Sequence, residues 1–244
     1  MQSVVRVFEL LETLADAGGD VAISDLAAIS GLPLPTTHRL LRTMVDLGYA
    51  RQLQSRRYVL GARLIRLGER AQSQLGAAVR PELQRLALVL GETANLAVLD
   101  RDAVVYVAQA PSPHAMRMFT EVGRRVTLHD TGVGKAILAS LPDSTITAMI
   151  GRAGLATRTP NSHTTLESLL ADLVRIRSRG YAVDDEEQER GVRCYAVLVP
   201  RAPTPMAISV SGPLARVDAE FGERAVVALT RSAGSIACSL LTTG

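Results

Sequence analysis

Apolar and polar positions alternate with helical periodicity in three runs near the start of the chain. The runs cover residues 3–17, 24–30 and about 35–47, and a glycine follows each of them. Ser24 stands where it would cap the second helix, and Gly31 follows its last turn. A short helix, a turn that contains glycine and a helix with a polar leading edge predict a helix-turn-helix.

The residues that follow have the pattern of a short hairpin. Two segments with apolar positions, Tyr49–Arg51 and Arg57–Leu60, flank a polar turn. The three helices and the hairpin together predict a winged helix-turn-helix domain over residues 1–61.

Beyond the hairpin the pattern indicates a second domain. Residues 62–90 are helical in pattern and Pro81 interrupts them, which predicts a linker helix at 62–76 and another helix at 80–91. Strand-like and helical segments then alternate and predict a mixed α+β domain over residues 77–244. Its further predicted elements are strands at 96–99, 103–108 and 116–121, helices at 132–141, 143–150 and 166–179, strands at 181–184, 195–199 and 207–211, and a helix at 217–241.

Composition bears on the compartment of the protein. With 244 residues, 47% of them hydrophobic, the chain is long enough for two ordinary domains. No apolar run approaches the roughly 20 residues that span a bilayer, and no secretory signal pattern opens the sequence. Cys194 and Cys238 lie far apart, without the spacing of a metal site. A cytoplasmic protein with no membrane segment is expected.

Positive charge is concentrated in one part of the chain. Seven arginines and one aspartate give residues 36–66 a net charge of +6, whereas the whole chain carries +3. Charge localised in this way is typical of a face that contacts the phosphates of double-stranded DNA. The candidate DNA-contacting residues lie on the third helix and the hairpin: Thr36, Thr37, His38, Arg39, Arg42, Arg56 and Arg57. A winged-helix module that binds another protein is an alternative interpretation of the same face.

The stretch Gly132-Val133-Gly134-Lys135 resembles a nucleotide-binding loop only in part. His129 stands where such a loop needs glycine, and Ala136 where it needs serine or threonine. No cofactor is therefore expected. The helix start either presents backbone N–H groups to an anion or is capped by Thr131 or Asp130.

The second half also carries a few polar positions on predicted strands. Asp184 ends a strand and is the member of the acidic run 184–189 expected to point inward, whereas most of the others are expected in a solvated loop. Cys194 heads the next strand, and no base near it in the sequence supports a nucleophile. Ser209 and Ser211 lie on one face of a strand, which meets either solvent or a cavity. The four histidines are scattered, so no metal site is predicted.

Several short motifs in the right order resemble the IclR family of bacterial transcriptional regulators, over essentially the whole chain. In the first half the motifs are Gly31-Leu32-Pro33, Thr36, His38-Arg39-Leu40-Leu41 and Gly48-Tyr49. In the second half they are Gly123-Arg124, Leu128-His129, Gly134–Ala139, Gly180-Tyr181-Ala182, Asp185-Glu186-Glu187, Gly191, Cys194 and Ile208–Pro213. Pro35 departs from the family, which usually carries serine there, so one capping or phosphate contact is lost.

The resemblance implies an architecture and a binding site. Members of the family are homodimers or dimers of dimers, with a winged-helix DNA domain, a linker helix and an effector domain of GAF-like or profilin-like fold. A small-molecule effector would then bind in the second domain, where Val133 occupies a position at which a smaller residue is common. The implied effector-binding residues are Gly132, Val133, Asp184, Cys194, Ser209 and Ser211.

The sequence therefore predicts an effector-responsive transcriptional regulator of a small-metabolite catabolic or metabolic operon, with repression favoured over activation. Paired recognition helices would bind a near-palindromic operator. The expected effector is a small organic acid or a carbonyl compound. An alternative is an enzyme that acts through the second domain, which requires Asp184, Cys194 and His129 to converge.

Overall fold

The computed structural model describes the backbone of residues 2–76 and 79–242 and the side chains of residues 2–71 and 79–240. It divides into two compact units, Met1–Ser73 and Gln74–Gly244. The division falls within the helix that spans most of the predicted linker. The predicted boundary at residue 77 and both chain ends lie outside the described residues, and the domain limits given above remain predictions.

The first unit contains three helices followed by a two-stranded hairpin, which confirms the predicted winged helix-turn-helix. Its elements are α1 (Gln2–Asp16), α2 (Ile23–Ser30), α3 (Leu34–Asp46), β1 (Ala50–Gln52) and β2 (Tyr58–Leu60), and the division falls in α4 (Arg63–Gly76). The hairpin is antiparallel and pairs Ala50 with Leu60. Apolar side chains from all three helices, from the hairpin and from the segment between α1 and α2 form one core: Leu10, Leu14, Val21, Leu26, Leu40, Leu41, Met44, Ala50 and Tyr58.

The ends of α2 and α3 differ in part from the prediction. Ala22 precedes α2 without a side-chain cap, and the hydroxyl of Ser24 donates to its neighbour Asp25, so Ser24 is not the cap. Gly31 ends α2 in the left-handed region at φ 66°, as predicted. Helix α3 begins at Leu34, and the carbonyl of Pro33 accepts the first N–H bonds of its opening turn.

The second unit is an antiparallel sheet with helices on both faces, which confirms the α+β prediction. Its helices are α5 (Arg80–Leu90), α6 (Gly132–Leu138), α7 (Asp143–Ala153), α8 (Leu166–Arg179) and α9 (Ala219–Thr242). Its strands are β3 (Thr93–Asp100), β4 (Ala103–Ala110), β5 (Arg125–Val126), β6 (Ala182–Asp185), β7 (Val192–Leu198) and β8 (Met206–Pro213). Within the described residues the six strands run in the order β5-β4-β3-β8-β7-β6.

Alternation along the strands divides the apolar side chains between two cores. On β7 and β8, Val197, Ile208 and Val210 pack with residues of α5 and α9. Ala196 and Ala207, which point the other way, pack with residues of α6, α7 and α8. Small alanines on the second face let α6 approach the sheet closely.

The strand predicted at residues 116–121 is wrong. Residues 111–124 contain no strand in the structure, and β5 begins only at Arg125. Met116 and Phe119 are each 76% exposed in this segment. Their apolar character therefore does not reflect burial within the unit. None of the described helices has both the length and the apolar character that crossing a bilayer requires.

Candidate functional site

Helix α3 presents a polar, basic face to solvent. Its core-facing positions, Leu41 and Met44, are buried, because residues three and four apart share one face of a helix. His38, Arg39 and Arg42 are exposed on the remaining surface, and Thr36 is half-buried. Arg39 and Arg42 have the long, charged side chains that reach base edges and phosphates, and His38 offers a ring nitrogen for a hydrogen bond.

Thr37 does not belong to this exposed face. It is fully buried, and its hydroxyl donates to the carbonyl of Pro33 at 3.2 Å. Its position in the helix, one turn before Leu41, places it toward the core. The prediction that Thr37 contacts DNA is therefore corrected.

The two arginines predicted on the wing have different surroundings. Arg56 is exposed in the turn of the hairpin and has a positive φ of 62°. Arg57 is half-buried, its Nε lies 3.1 Å from Oδ2 of Asp20, and its Nη2 donates to the Asp20 carbonyl at 2.8 Å. Arg57 therefore fastens the hairpin to the segment after α1, whereas Arg56 is available to another molecule.

The remaining positive charges of this unit are largely uncompensated. Among the described residues, Arg39, Arg42, Arg51 and Arg56 form no ion pair through their side chains. Unpaired guanidinium groups on an exposed face suit contact with a polyanion, because no internal bond has to break.

The second unit contains a cavity of about 240 Å³ to which both α6 and the sheet contribute. The pairing of the strands brings three predicted residues together, since Cys194 on β7 lies opposite Asp184 on one side and Ser211 on the other. Gly132 opens α6 beside them, where an added Cβ would lie 3.0 Å from Sγ of Cys194. The lining residues are Tyr106, Met118, Phe119, Thr120, Arg124, Val126, Thr131, Gly132, Arg158, Asp184, Gln188, Glu189, Val192, Cys194 and Ser211.

Val133 and Ser209, also implied by the resemblance, are not among the lining residues. Val133 is fully buried in the core between α6 and the sheet, because it lies about 100° around the helix from Gly132. Ser209 is fully buried two residues before Ser211, and its hydroxyl has no hydrogen-bond partner among the described residues.

Asp184 is a buried acid at the cavity wall. Its Oδ1 accepts hydrogen bonds from the backbone N–H groups of Glu187 at 2.8 Å and Gln188 at 3.3 Å. Burial and the nearby Glu187 nevertheless raise the pKa of Asp184 to about 7. Near neutral pH a substantial fraction of this carboxyl group is therefore protonated, and in that form it can also donate a hydrogen bond to a bound molecule.

The three residues that an enzyme would need do not form a nucleophile with its base. Burial, followed by the charge of Asp184, raises the pKa of Cys194 to about 12, so the thiol is protonated at neutral pH. His129 is buried outside the cavity lining, and its Nε2 lies 3.0 Å from the carbonyl oxygen of Ala156.

The start of α6 is capped by a side chain. The hydroxyl of Thr131 accepts a hydrogen bond from the backbone N–H of Gly134 at 3.1 Å. Of the two interpretations of the glycine-rich segment, the structure supports capping for this N–H group.

A buried cluster of charged side chains next to Asp184 was not predicted from the sequence. Lys135, which is 1% exposed, donates from Nζ to Oδ2 of Asp172 at 2.9 Å and to Oε1 of Glu187. Glu187 belongs to the acidic run expected in a solvated loop, but it is buried. Because the backbone N–H of Glu187 also donates to Asp184, the cluster fixes the turn that follows the cavity acid.

His163 extends this cluster. Its Nε2 lies 3.5 Å from Oδ2 of Asp172 and 3.6 Å from Oε2 of Glu187. Burial alone would raise the pKa of Asp172, but the hydrogen bond from His163 and the charge of Lys135 hold it well below its usual value. The ligand atoms of the two acids and His163 lie within 4.8 Å of one another, which is close enough for them to share a metal ion. Lys135, however, already compensates the negative charge of the two acids.

Arg124 and Arg158 line the cavity as well. Arg124 belongs to the motif Gly123-Arg124 of the family resemblance but not to the implied effector-binding residues, and no pattern in the sequence indicated Arg158. Neither position belongs to a regular element, since both lie in loops. Their proximity to Asp184 follows only from the way the sheet and its loops fold together.

Comparison with known proteins gives matches over nearly the whole chain. The family model described as IclR helix-turn-helix domain matches residues 3–54, and the model described as bacterial transcriptional regulator IclR C-terminal matches residues 71–238. The transcriptional repressor IclR of Escherichia coli is 40% identical over 243 residues, with 93% of this chain and 87% of that protein covered.

Two further matches have the same character. The acetate operon repressor of Salmonella typhimurium is 40% identical over 228 residues, with 89% of this chain and 82% of that protein covered. The crystal structure of a transcriptional regulator of the same type from Alicyclobacillus acidocaldarius has a TM-score of 0.87 at 31% identity, and 98% of each chain is covered.

Proposed function

We propose that this chain, which belongs to the IclR family of bacterial transcriptional regulators, represses a metabolic operon. Binding of a small molecule releases or strengthens that repression. The membership makes the chain a DNA-binding transcriptional regulator rather than an enzyme. Its fold is accordingly an N-terminal helix-turn-helix followed by an α+β effector domain of GAF-like or profilin-like type.

One observation carries the DNA-binding part of the proposal. His38, Arg39 and Arg42 are exposed on α3, inside the segment that the helix-turn-helix model matches, and the two arginines form no ion pair among the described residues. We assign base and phosphate contacts to these residues and to Thr36. Arg56 would contact phosphates or the minor groove from the wing.

The effector part of the proposal is supported by the cavity in the second unit. Asp184, Cys194, Ser211 and the edge of α6 at Gly132 converge there, as the family resemblance implies. A small organic acid or a carbonyl compound fits the polar lining. The effector acts by binding the DNA-bound and free states with different affinities, which is the thermodynamic requirement for control.

Assembly and location follow from the same mode of action. A near-palindromic operator is recognised by paired helices, so we propose a homodimer or a dimer of dimers. Repression takes place on the chromosome, so we propose a cytoplasmic location.

The test is a DNA-binding titration of the full chain with the region upstream of its own gene, followed by fluorescence anisotropy. Replacing an arginine that contacts a base costs about 1–3 kcal/mol, so Arg39→Ala and Arg42→Ala are expected to weaken binding about 5- to 150-fold. Arg231→Ala, an exposed arginine on α9, is the matched control and is expected to bind as the unmodified protein does. Binding without sequence preference, or without dependence on Arg39 and Arg42, contradicts the proposal.

A further inference from the structure

The exposed face of α3 continues past its charged residues to the first turn of the helix. Leu34 and Pro35 are the first two residues of α3, and both are exposed. Because successive residues of a helix are about 100° apart, the two lie in the same arc of about 140° as the exposed residues His38, Arg39 and Arg42. The basic face therefore begins with an apolar patch, formed by Leu34 and Pro35, at the N-terminal end of the helix.

The packing of the first unit does not account for this apolar patch. Leu34 is 50% exposed and is not part of the core that the three helices and the hairpin share. No side chain caps the start of α3, since the residue before Leu34 is Pro33. Leu34 and Pro35 therefore offer another molecule an apolar surface whose side chains neither donate nor accept hydrogen bonds.

Duplex DNA is the molecule whose chemistry fits the patch. The patch is continuous with Arg39 and Arg42, which form no ion pair among the described residues and are complementary in charge to phosphates. In a helix-turn-helix, the N-terminal residues of the recognition helix contact base edges in the major groove. The patch is therefore placed where bases, rather than phosphates alone, are read.

The groups that bases display in the major groove differ in how well they suit an apolar partner. Thymine is distinguished there by an apolar C5 methyl group, which Leu34 and Pro35 can cover. The amino groups of adenine and cytosine are hydrogen-bond donors, and burial against the patch would leave them without an acceptor. An apolar start of the recognition helix therefore favours thymine over the other bases.

We propose that Leu34 and Pro35 are specificity-determining residues, which contact the C5 methyl group of a thymine in each half-site of the operator. The inference rests on the proposed function, since it takes α3 as the DNA-recognition helix, and it adds the base that the start of the helix selects. Arg39 and Arg42 keep their assigned contacts with bases and phosphates. Affinity for the operator then has a part that depends on methyl groups and a part that depends on charge, and the two can be measured separately.

The experiment removes one methyl group at a time from the DNA. Footprinting locates the protected sequence in the region upstream of the chain's own gene, and each thymine in it is replaced singly by deoxyuridine, which pairs with adenine but lacks the methyl group. Fluorescence anisotropy of the full chain with each duplex gives the Kd. At least one replacement in each half-site is expected to raise the Kd about three- to fivefold, which corresponds to the burial of one methyl group. The slope of log K against log salt is expected to stay the same, because no phosphate contact is lost.

Variants of α3 assign the methyl contact to the patch. In the double variant Leu34→Ala and Pro35→Ala, the sensitive replacement is expected to raise the Kd by less than about twofold, because the partner of the methyl group is gone. The two single variants show how the contact is divided between the residues. Both positions are exposed, so the free energy of unfolding is expected to change little, which thermal unfolding checks.

The matched control is Leu47→Ala. Leu47 is 51% exposed and lies at the C-terminal end of the same helix. The variant removes the same amount of apolar side chain as Leu34→Ala, away from the patch. It is expected to retain the full three- to fivefold sensitivity to deoxyuridine.

Two results overturn the inference: no thymine whose methyl group contributes to affinity, or a methyl effect as large in the double variant as in the unmodified chain. The DNA titration keeps this failure distinct from failure of the proposed function. Sequence-specific binding that depends on Arg39, without a methyl effect, leaves the regulator in place and removes the thymine contact. Loss of sequence-specific binding in the unmodified chain removes the proposed function itself.

Discussion

The candidate DNA-contacting face and the effector cavity are built in opposite ways. The face on α3 and the hairpin comes from one continuous segment, and its arginines are exposed and mostly unpaired. The cavity draws on residues as far apart as Tyr106 and Ser211, and its acid is buried and held by backbone hydrogen bonds. The first surface is charged and open, whereas the second is polar and pre-organised.

The difference follows from the chemistry of the two ligands, duplex DNA and a small effector. Duplex DNA carries a dense array of phosphates, so exposed positive side chains gain affinity without fixed internal partners. A small effector offers only a few polar atoms, and each must meet a group that is already in position. Removal of a residue from the face should therefore affect DNA affinity, whereas removal of a residue that supports the cavity should affect stability.

The largest expected effect is on stability, at the support of the cavity. Lys135→Met preserves much of the side-chain volume but leaves Asp172 and Glu187 as buried acids without their cation. Breaking a buried ion pair from one side costs about 3–5 kcal/mol. Denaturant unfolding monitored by circular dichroism is expected to report a loss of this size.

The matched control is Arg42→Ala, on the exposed face of α3, which is expected to change the free energy of unfolding by less than about 0.5 kcal/mol. Equal losses for the two variants would contradict the contrast between the two regions.

A second effect concerns the pH dependence of stability at Asp184. In the unfolded chain this carboxyl group ionises near the ordinary aspartate pKa of 3.8, whereas burial keeps it protonated in the folded protein up to a pKa of about 7. The folded state therefore binds more protons in this interval, and the stability contributed by this group falls as the pH rises through it. The free energy of unfolding of Asp184→Asn is expected to rise relative to that of the unmodified protein by up to about 4 kcal/mol between pH 4 and pH 7, with no further rise above pH 7.

Thermal unfolding at a series of pH values measures this difference. Glu167→Gln, at an exposed position in the first turn of α8, serves as the control and should show no such trend. A difference for Asp184→Asn that stays constant from pH 5 to pH 8 would mean that the acid is not buried in solution.

The smallest expected effect distinguishes the two arginines of the wing. Arg56→Ala removes an exposed charge, so it should reduce the slope of log K against log salt by about one and leave stability unchanged. Arg57→Ala removes the contacts with Asp20 and should instead lower the stability of the first unit by about 0.2–1 kcal/mol. Salt titrations of DNA binding and thermal unfolding of both variants make the comparison, and a reversed pattern would exchange the two roles.

The local features of this protein could be predicted from its amino-acid sequence. The helical periodicity of the first unit, the glycine that ends α2 and the concentration of arginines in residues 36–66 were sufficient to predict a winged helix-turn-helix with a basic face. The strand alternation around Ser211 and the position of Asp184 at a strand end indicated two cavity residues. These features are set by interactions between residues close in the chain, so a pattern in the sequence reveals them.

Which side chains are buried, and which distant side chains contact each other, could be learned only from the folded chain. It placed Thr37 in the core, paired Lys135 with Glu187, and brought Arg124 and Arg158 to the cavity of Asp184. It also left residues 116–121 without a partner strand, although their composition favoured one. Burial and contact between distant residues depend on the pairing of strands and the paths of loops, and no short stretch of sequence contains that information.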